Sequence, residues 1–163
     1  PWDDQRVGEV CARGPWIAEG YADDPQRSAA GFVAGWWQSG DMATVDTEGV
    51  LRLVDRAKDL VKSGGEWISS VALENQLMAH PAVQEAAVVV APDPKWQERP
   101  VAYVVLRPGK EADEATLRQW LGKHFPRWWW PDRFIMVATI PKTGVGKTDK
   151  RRLRAMAAGQ AEG

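Results

Sequence analysis

Val54-Asp55-Arg56-Ala57-Lys58-Asp59-Leu60-Val61-Lys62-Ser63-Gly64-Gly65-Glu66-Trp67-Ile68-Ser69-Ser70 is where the pattern of the chain changes. Within it, Leu60 and Val61 followed by Ser63-Gly64-Gly65 predict a strand running into a flexible turn. Ser69 or Ser70 can cap a helix whose Leu73 and Leu77 stack at i, i+4, and Pro81 stops it. Downstream, Val83 to Ala91 and Pro100 to Leu106 are nearly continuous apolar runs and predict buried strands. Leu117, Trp120, Leu121 and Phe125 share one helical face, with Pro126 as the stop. Phe134 to Ile140 predicts a further strand, and Leu153, Met156 and Ala157 a last short helix. The order from Gly65 is α-β-β-α-β-α. That predicts an α+β fold, a small domain with a short sheet packed by helices.

Upstream the reading differs. Val7 to Arg13 and Val50 to Asp55 predict short strands. Gly31 to Ala43 predicts a strand entering a polar turn at Ser39-Gly40-Asp41. No helical period is evident there. Residues 1–55 are therefore expected to be the β-rich, incomplete edge of a larger N-terminal domain, whose open β edge offers a surface for self-association. Residues 56–163 are expected to form the small C-terminal domain, with a hinge near 55–58. The chain begins at Pro1, so it is expected to be a piece of something longer.

Composition narrows the function. The 163 residues are 44% hydrophobic and 26% charged, as in ordinary globular domains. The net charge of −1 gives no global field toward nucleic acid or anionic lipid. No apolar run approaches the ~20 residues of a membrane span. One cysteine, Cys11, excludes an internal disulfide, and with only His80 and His124 besides, no usual zinc site is expected.

Several residues could carry chemistry. Gly144-Val145-Gly146-Lys147-Thr148 looks like the end of a phosphate-binding loop. The first glycine that such a loop needs is replaced by Pro141, which has no amide donor. Only 15 residues follow Thr148, too few for a later strand bearing a magnesium-holding aspartate. What survives is local: Lys147 on a glycine-flexed loop can meet a phosphate or carboxylate as a point charge, and a solvated loop lysine is the plain alternative. Asp41 presents a carboxylate that can accept two hydroxyl donors, as a ribose diol offers, though a structural turn is the commoner reading of such a segment taken alone. Asp55-Arg56-Ala57-Lys58-Asp59 is a dense charge cluster, or a surface hairpin. Gly64-Gly65 permits close backbone approach of a ligand, or simply a turn. The run Lys147, Lys150, Arg151, Arg152, Arg154 sits at a helix start, where a bound anion would make sense of it, and a soluble polar face on a terminal helix explains it more readily than nucleic-acid binding does. Trp128-Trp129-Trp130 reads as packing against the sheet.

Assembled in order, these segments resemble the C-terminal part of the adenylate-forming acyl-CoA synthetases. Gly8-Glu9-Val10 through Arg13-Gly14-Pro15 to Gly20-Tyr21 looks like that family's Gly-Glu…Gly…Gly-Tyr stretch. Gly35-Trp36-Trp37-Gln38-Ser39-Gly40-Asp41 looks like its Trp-x-x-Thr-Gly-Asp. The 54–70 segment matches most closely, and Pro141 to Lys147 matches the closing Pro-Lys-Thr-x-x-Gly-Lys. Gly-Gly-Glu-Trp-Ile-Ser-Ser and Lys95-Trp96-Gln97-Glu98-Arg99-Pro100 look most like the medium- and long-chain fatty-acid branch. Gln38, Ser39, Asp93 and Val145 depart from the usual residues.

The resemblance implies a fatty-acid–CoA ligase that takes a fatty or other carboxylic acid, ATP with Mg2+ and coenzyme A as substrates, located in the cytoplasm. By that resemblance Asp41 and Arg56 would bind the nucleotide, and Asp55 and Lys58 would form the hinge. Gly64, Gly65 and Glu66 would line the coenzyme A channel, and Lys147 would be catalytic in adenylation. No metal ligand is implied in this segment. The triphosphate loop, adenine pocket and acyl tunnel would lie upstream, so this piece alone is expected to be inactive. A stand-alone binding or regulatory module that kept the fold is the alternative.

Overall fold

A computed structural model describes residues 2–159. Its chain divides between Lys58 and Asp59 into two compact units.

The first unit is built on one antiparallel sheet. Its strands are β1 (Gly8–Ala12), β2 (Phe32–Val33), β3 (Trp36–Val45) and β4 (Leu51–Arg56), and β3 pairs with each of the others. A short helix, α1 (Pro25–Gly31), precedes β2, where no helix was expected. Its local cause is visible in retrospect. Asp24 caps the Arg27 amide, and Pro25 has its fixed φ in the first turn, where no amide is needed. Ser39-Gly40-Asp41 is not the end of a strand, as expected, but lies inside β3. Between Gln38 and Met42 that strand carries two residues more than β1 does between Cys11 and Glu9. The excess is a bulge, and Gly40, at φ 73, supplies the left-handed conformation it needs. Strand β4 continues through Arg56. Among the described residues, Met42 and Ala43 are the buried apolar side chains of this unit, while Val33, Trp36, Leu51 and Leu53 are exposed.

The second unit begins at Asp59, which Arg154 holds at 2.6 Å. The hairpin β5 (Val61–Ser63) and β6 (Glu66–Ile68) comes first, then α2 (Ser70–Met78). Ser69 is the cap, accepting the Ala72 amide. The long hairpin β7 (Val83–Asp93) and β8 (Gln97–Leu106) follows, then α3 (Glu114–Leu121). Asp113 caps α3, and hydrogen bonds from the Thr116 hydroxyl and amide hold its carboxyl below the usual carboxylate range. A 3-10 turn (Arg127–Trp129), β9 (Arg133–Met136) and α4 (Lys150–Gly159) complete the described residues. From α2 onward the order is the predicted α-β-β-α-β-α.

Strand β8 pairs with β7 along its whole length; it also meets β5 at Gln97 and runs parallel to β9 over Val101–Val104. Alternate residues of β7 and β8 enter two cores. Ala86, Val88, Ala102 and Val104 pack under α2 and α3, with Leu73, Leu77, Leu117 and Leu121. Ala87, Val89, Val101 and Tyr103 pack under Ile140 and α4, with Leu153 and Ala157. Burial on both faces is why these strands read as continuous apolar runs instead of alternating. Two expected limits move. Helix α3 stops at Leu121 with Gly122 as its cap, short of the expected Pro126, and the Trp130 ring packs 2.8 Å from where a Gly122 Cβ would stand. Strand β9 ends at Met136, and Ile140 is buried beyond it.

Candidate functional site

In the first unit, β3–β4 pairing brings Asp41 opposite Arg56. The Arg56 Nε lies 3.0 Å from Asp41 Oδ1, and both side chains reach solvent. The Gly40 amide donates to the Glu9 carboxylate at 2.9 Å, and the Gly40 carbonyl accepts from the Ala57 amide at 2.8 Å. The bulge is thereby tied on both sides, and Asp41 is held on a fixed backbone. Asp55 is buried and accepts the Arg56 amide at 2.7 Å. Lys58 is exposed in the turn that ends the unit.

In the second unit, Ser63 and Glu66 are register partners around a two-residue turn. Gly64 and Gly65 have φ of 59 and 89, the pair of positive values a type I′ hairpin turn demands. The Gly64 amide donates to the Trp96 carbonyl, and the Trp96 ring sits 2.9 Å from where a Gly64 Cβ would be. Beside the turn lies a cavity of about 780 Å3 whose lining includes Gly64, Glu66, Trp96, Arg99, Arg127 and Trp128. Gly65, expected with them, is not part of the lining.

Lys147 lies on a different structure. Residues 142 and 148 form a bridge that closes a tight loop. The Thr143 amide donates to the Lys147 carbonyl at 2.7 Å, and the Lys147 amide donates to the Thr143 hydroxyl. Lys142 pairs with Glu85 of β7 and also donates to the Thr148 hydroxyl. The loop base is therefore fastened to the sheet, while the exposed Lys147 ammonium has no ion-pair partner among the described residues. It is absent from the cavity lining. The basic run around it is partly absorbed by carboxylates: Lys150 pairs with Glu74 at 2.8 Å, and Arg154 with Asp59. A bound anion at the helix start is not needed to explain those two.

Sequence reasoning passed over Trp96, Arg99, Arg127 and Trp128 as cavity residues. Two of them lie in a stretch read only as a branch marker, and the others at or beside a tryptophan run read as packing. Trp129 and Trp130 do pack on the core, but Trp128 stays exposed at the cavity. No spacing rule connects residue 99 to residue 63 or 128; only the sheet does. Among the described residues no group of three or more His, Cys, Asp or Glu could hold a metal ion. No helix there is long and apolar enough to cross a membrane.

Comparison with known proteins gives the same frame. Residues 72–147 match the family model of the AMP-binding enzyme C-terminal domain. The chain is 48% identical to a long-chain-fatty-acid–CoA ligase of Thermus thermophilus, over 94% of this chain and 29% of the relative. It is 41% identical to a medium-chain-fatty-acid–CoA ligase of Ectopseudomonas oleovorans, over 94% of this chain and 28% of the relative. The o-succinylbenzoate CoA synthetase of Bacillus subtilis, solved with its acyl-adenylate intermediate, superposes with a TM-score of 0.83 at 32% identity. That match covers 93% of this chain and 31% of the synthetase. The chain thus spans under a third of the length of its relatives. With the motif order, the two-faced sheet and these matches in agreement, the chain belongs to the adenylate-forming acyl-CoA synthetases and represents their C-terminal portion.

Proposed function

We propose that this chain is the C-terminal portion of a fatty-acid–CoA ligase. The reaction has two steps. The substrate carboxylate attacks the α-phosphorus of MgATP, giving acyl-adenylate and pyrophosphate. The coenzyme A thiol then attacks the acyl carbonyl, losing its proton, and AMP leaves. In the first step the ribose hydroxyls donate to Asp41, Arg56 supports the nucleotide beside it, and the Lys147 ammonium stabilises charge on the carboxylate and α-phosphate. In the second, the backbone at Gly64-Gly65-Glu66 leaves room for the thiol arm. The second unit pivots near Asp55 and Lys58 to present its two features in turn, a hinged rearrangement that confines backbone change to a few residues.

The observation that carries this reading is the glycine turn at the wall of the 780 Å3 cavity. Trp96 and Trp128 offer flat apolar faces, and Arg127 has no ion pair among the described residues. Such faces and a free guanidinium suit the adenine and phosphates of coenzyme A. Arg99 and Arg118 are already engaged, with Asp132 and Glu114.

The test is two assays on the whole enzyme that carries this chain. Fatty acid and MgATP should release pyrophosphate, and added coenzyme A should yield acyl-CoA. The 163-residue chain alone should do neither. Binding without either reaction in the whole protein would favour a non-catalytic module.

A further inference from the structure

We infer that Arg99 is a positioning residue for thiol transfer, clasping the glycine turn and the Trp128–Trp130 segment into one wall. The inference rests on the ligase reading above.

Arg99 is central to this part of the fold. Its side chain is 12% exposed. Nη1 donates to the Ser63 hydroxyl at 2.9 Å and to the Trp128 carbonyl at 2.8 Å. Nη2 donates to the Trp130 carbonyl at 2.9 Å and to Asp132 Oδ1 at 2.8 Å, and Nε donates to the same oxygen at 2.9 Å. A guanidinium has five N–H donors in a fixed planar fork, and here five bonds use them. They join three stretches distant in sequence: the residue before Gly64, strand β8 itself, and residues 128–132.

The pattern separates positioning from charge recognition. Asp132 neutralises Arg99, so Arg99 is not a free cation for an anionic substrate. Its bonds fix instead where the glycine turn stands relative to Trp128 and Arg127. Near the cavity the clasp adds to the Gly64 amide–Trp96 carbonyl bond and to the core packing of Trp129 and Trp130. Strand β5 meets β8 at a single register pair, Ser63–Gln97, and the tryptophan stretch is a 3-10 turn. The core does not depend on it, because ten register pairs join β7 to β8. The Lys147 loop is fastened by Glu85 and Thr143 and shares none of the Arg99 partners. The clasp therefore acts on thiol delivery and leaves adenylation alone.

Arg99→Lys keeps the charge and removes the fork, and Ser63→Ala removes one arm of the clasp. In the whole enzyme, Arg99→Lys should raise the KM for coenzyme A, with thioester yield from supplied acyl-adenylate falling about tenfold or more, as small misplacements near reacting groups do. Pyrophosphate release should stay within about twofold of the parent rate. Ser63→Ala should act in the same direction, more weakly. Hydrogen exchange should quicken in residues 63–66 and 127–132 of the Arg99→Lys enzyme and stay unchanged in 86–91 and 101–105. An equal fall in both half-reactions, parent-like thioester formation in Arg99→Lys, or faster exchange throughout the core would each overturn the inference. If the parent enzyme itself forms no thioester, the ligase reading fails, and unchanged exchange at 63–66 and 127–132 would still refute the clasp.

Discussion

Arg56 Nε and Asp41 Oδ1 stand 3.0 Å apart across a register pair of β3 and β4. Two residues fifteen positions apart thus form one polar unit on the sheet. Exposed ion pairs of this kind contribute roughly 0–1 kcal/mol to stability. The Asp41 carboxylate keeps lone pairs for other donors while one oxygen faces the guanidinium. The pair is better placed to meet a ligand than to hold the fold.

That distinction is measurable. Asp41→Ala in the whole enzyme should shift folding stability by no more than about 1 kcal/mol. The same variant should weaken ATP markedly, seen as a raised KM for ATP in pyrophosphate release. A large drop in melting temperature with unchanged ATP dependence would make the pair structural.

Lys147→Ala should cut adenylation by about 10²–10³-fold, the usual effect of removing one preorganised charge partner. Thioester formation from synthetic acyl-adenylate should persist, because Lys147 is not in the cavity lining beside the glycine turn. Glu85→Gln loosens the Lys142 anchor of the loop and should lower the same step less severely. Equal loss in both half-reactions for Lys147→Ala would rule out separate roles for the loop and the turn.

The glycine turn gives a contrasting pair of variants. Gly65 has open space around its missing Cβ but a φ of 89, so Gly65→Leu strains the backbone by roughly 1–3 kcal/mol without a steric clash. Gly64→Ala would press on the Trp96 ring, 2.9 Å from the new Cβ. Gly65→Leu should spare pyrophosphate release and depress thioester formation by straining the turn that carries its lining neighbours Gly64 and Glu66, and Gly64→Ala should also alter Trp96 fluorescence. Normal thioester rates in Gly65→Leu would exclude the turn from the thiol path.

Tyr103 supplies an alkaline limit. It is fully buried, and its hydroxyl donates to the Leu153 carbonyl. Burial raises its pKa above the ordinary value of 10.0, with Arg133 opposing in part. The unfolded state therefore loses this proton at lower pH than the folded state does. The resulting stabilisation is complete below pH 10.0 and is lost as pH rises through the folded value. Denaturant melts of the chain from pH 8 to 11 should show a decline above about pH 10 that Tyr103→Phe makes shallower. Identical pH profiles for the two proteins would remove Tyr103 as the cause.

The sequence by itself determined the small α+β domain, because apolar period and proline stops are local properties that survive without context. It also determined the family likeness, since Ser39-Gly40-Asp41, the 54–70 segment and Pro141–Lys147 carry their motifs in contiguous residues. It could not show that Gly40 relieves a bulge, because a bulge is a property of two strands in register. Helix α1 was legible only through its Asp24-Pro25 start, too short a signal without a period behind it. The cavity was decided by tertiary structure alone. Ser63, Arg99, Trp128 and Asp132 meet because β8 starts beside the end of β5 and the parallel strand β9 starts at that same end of β8, and the Arg99 fork reaches only what the sheet brings within 3 Å of it.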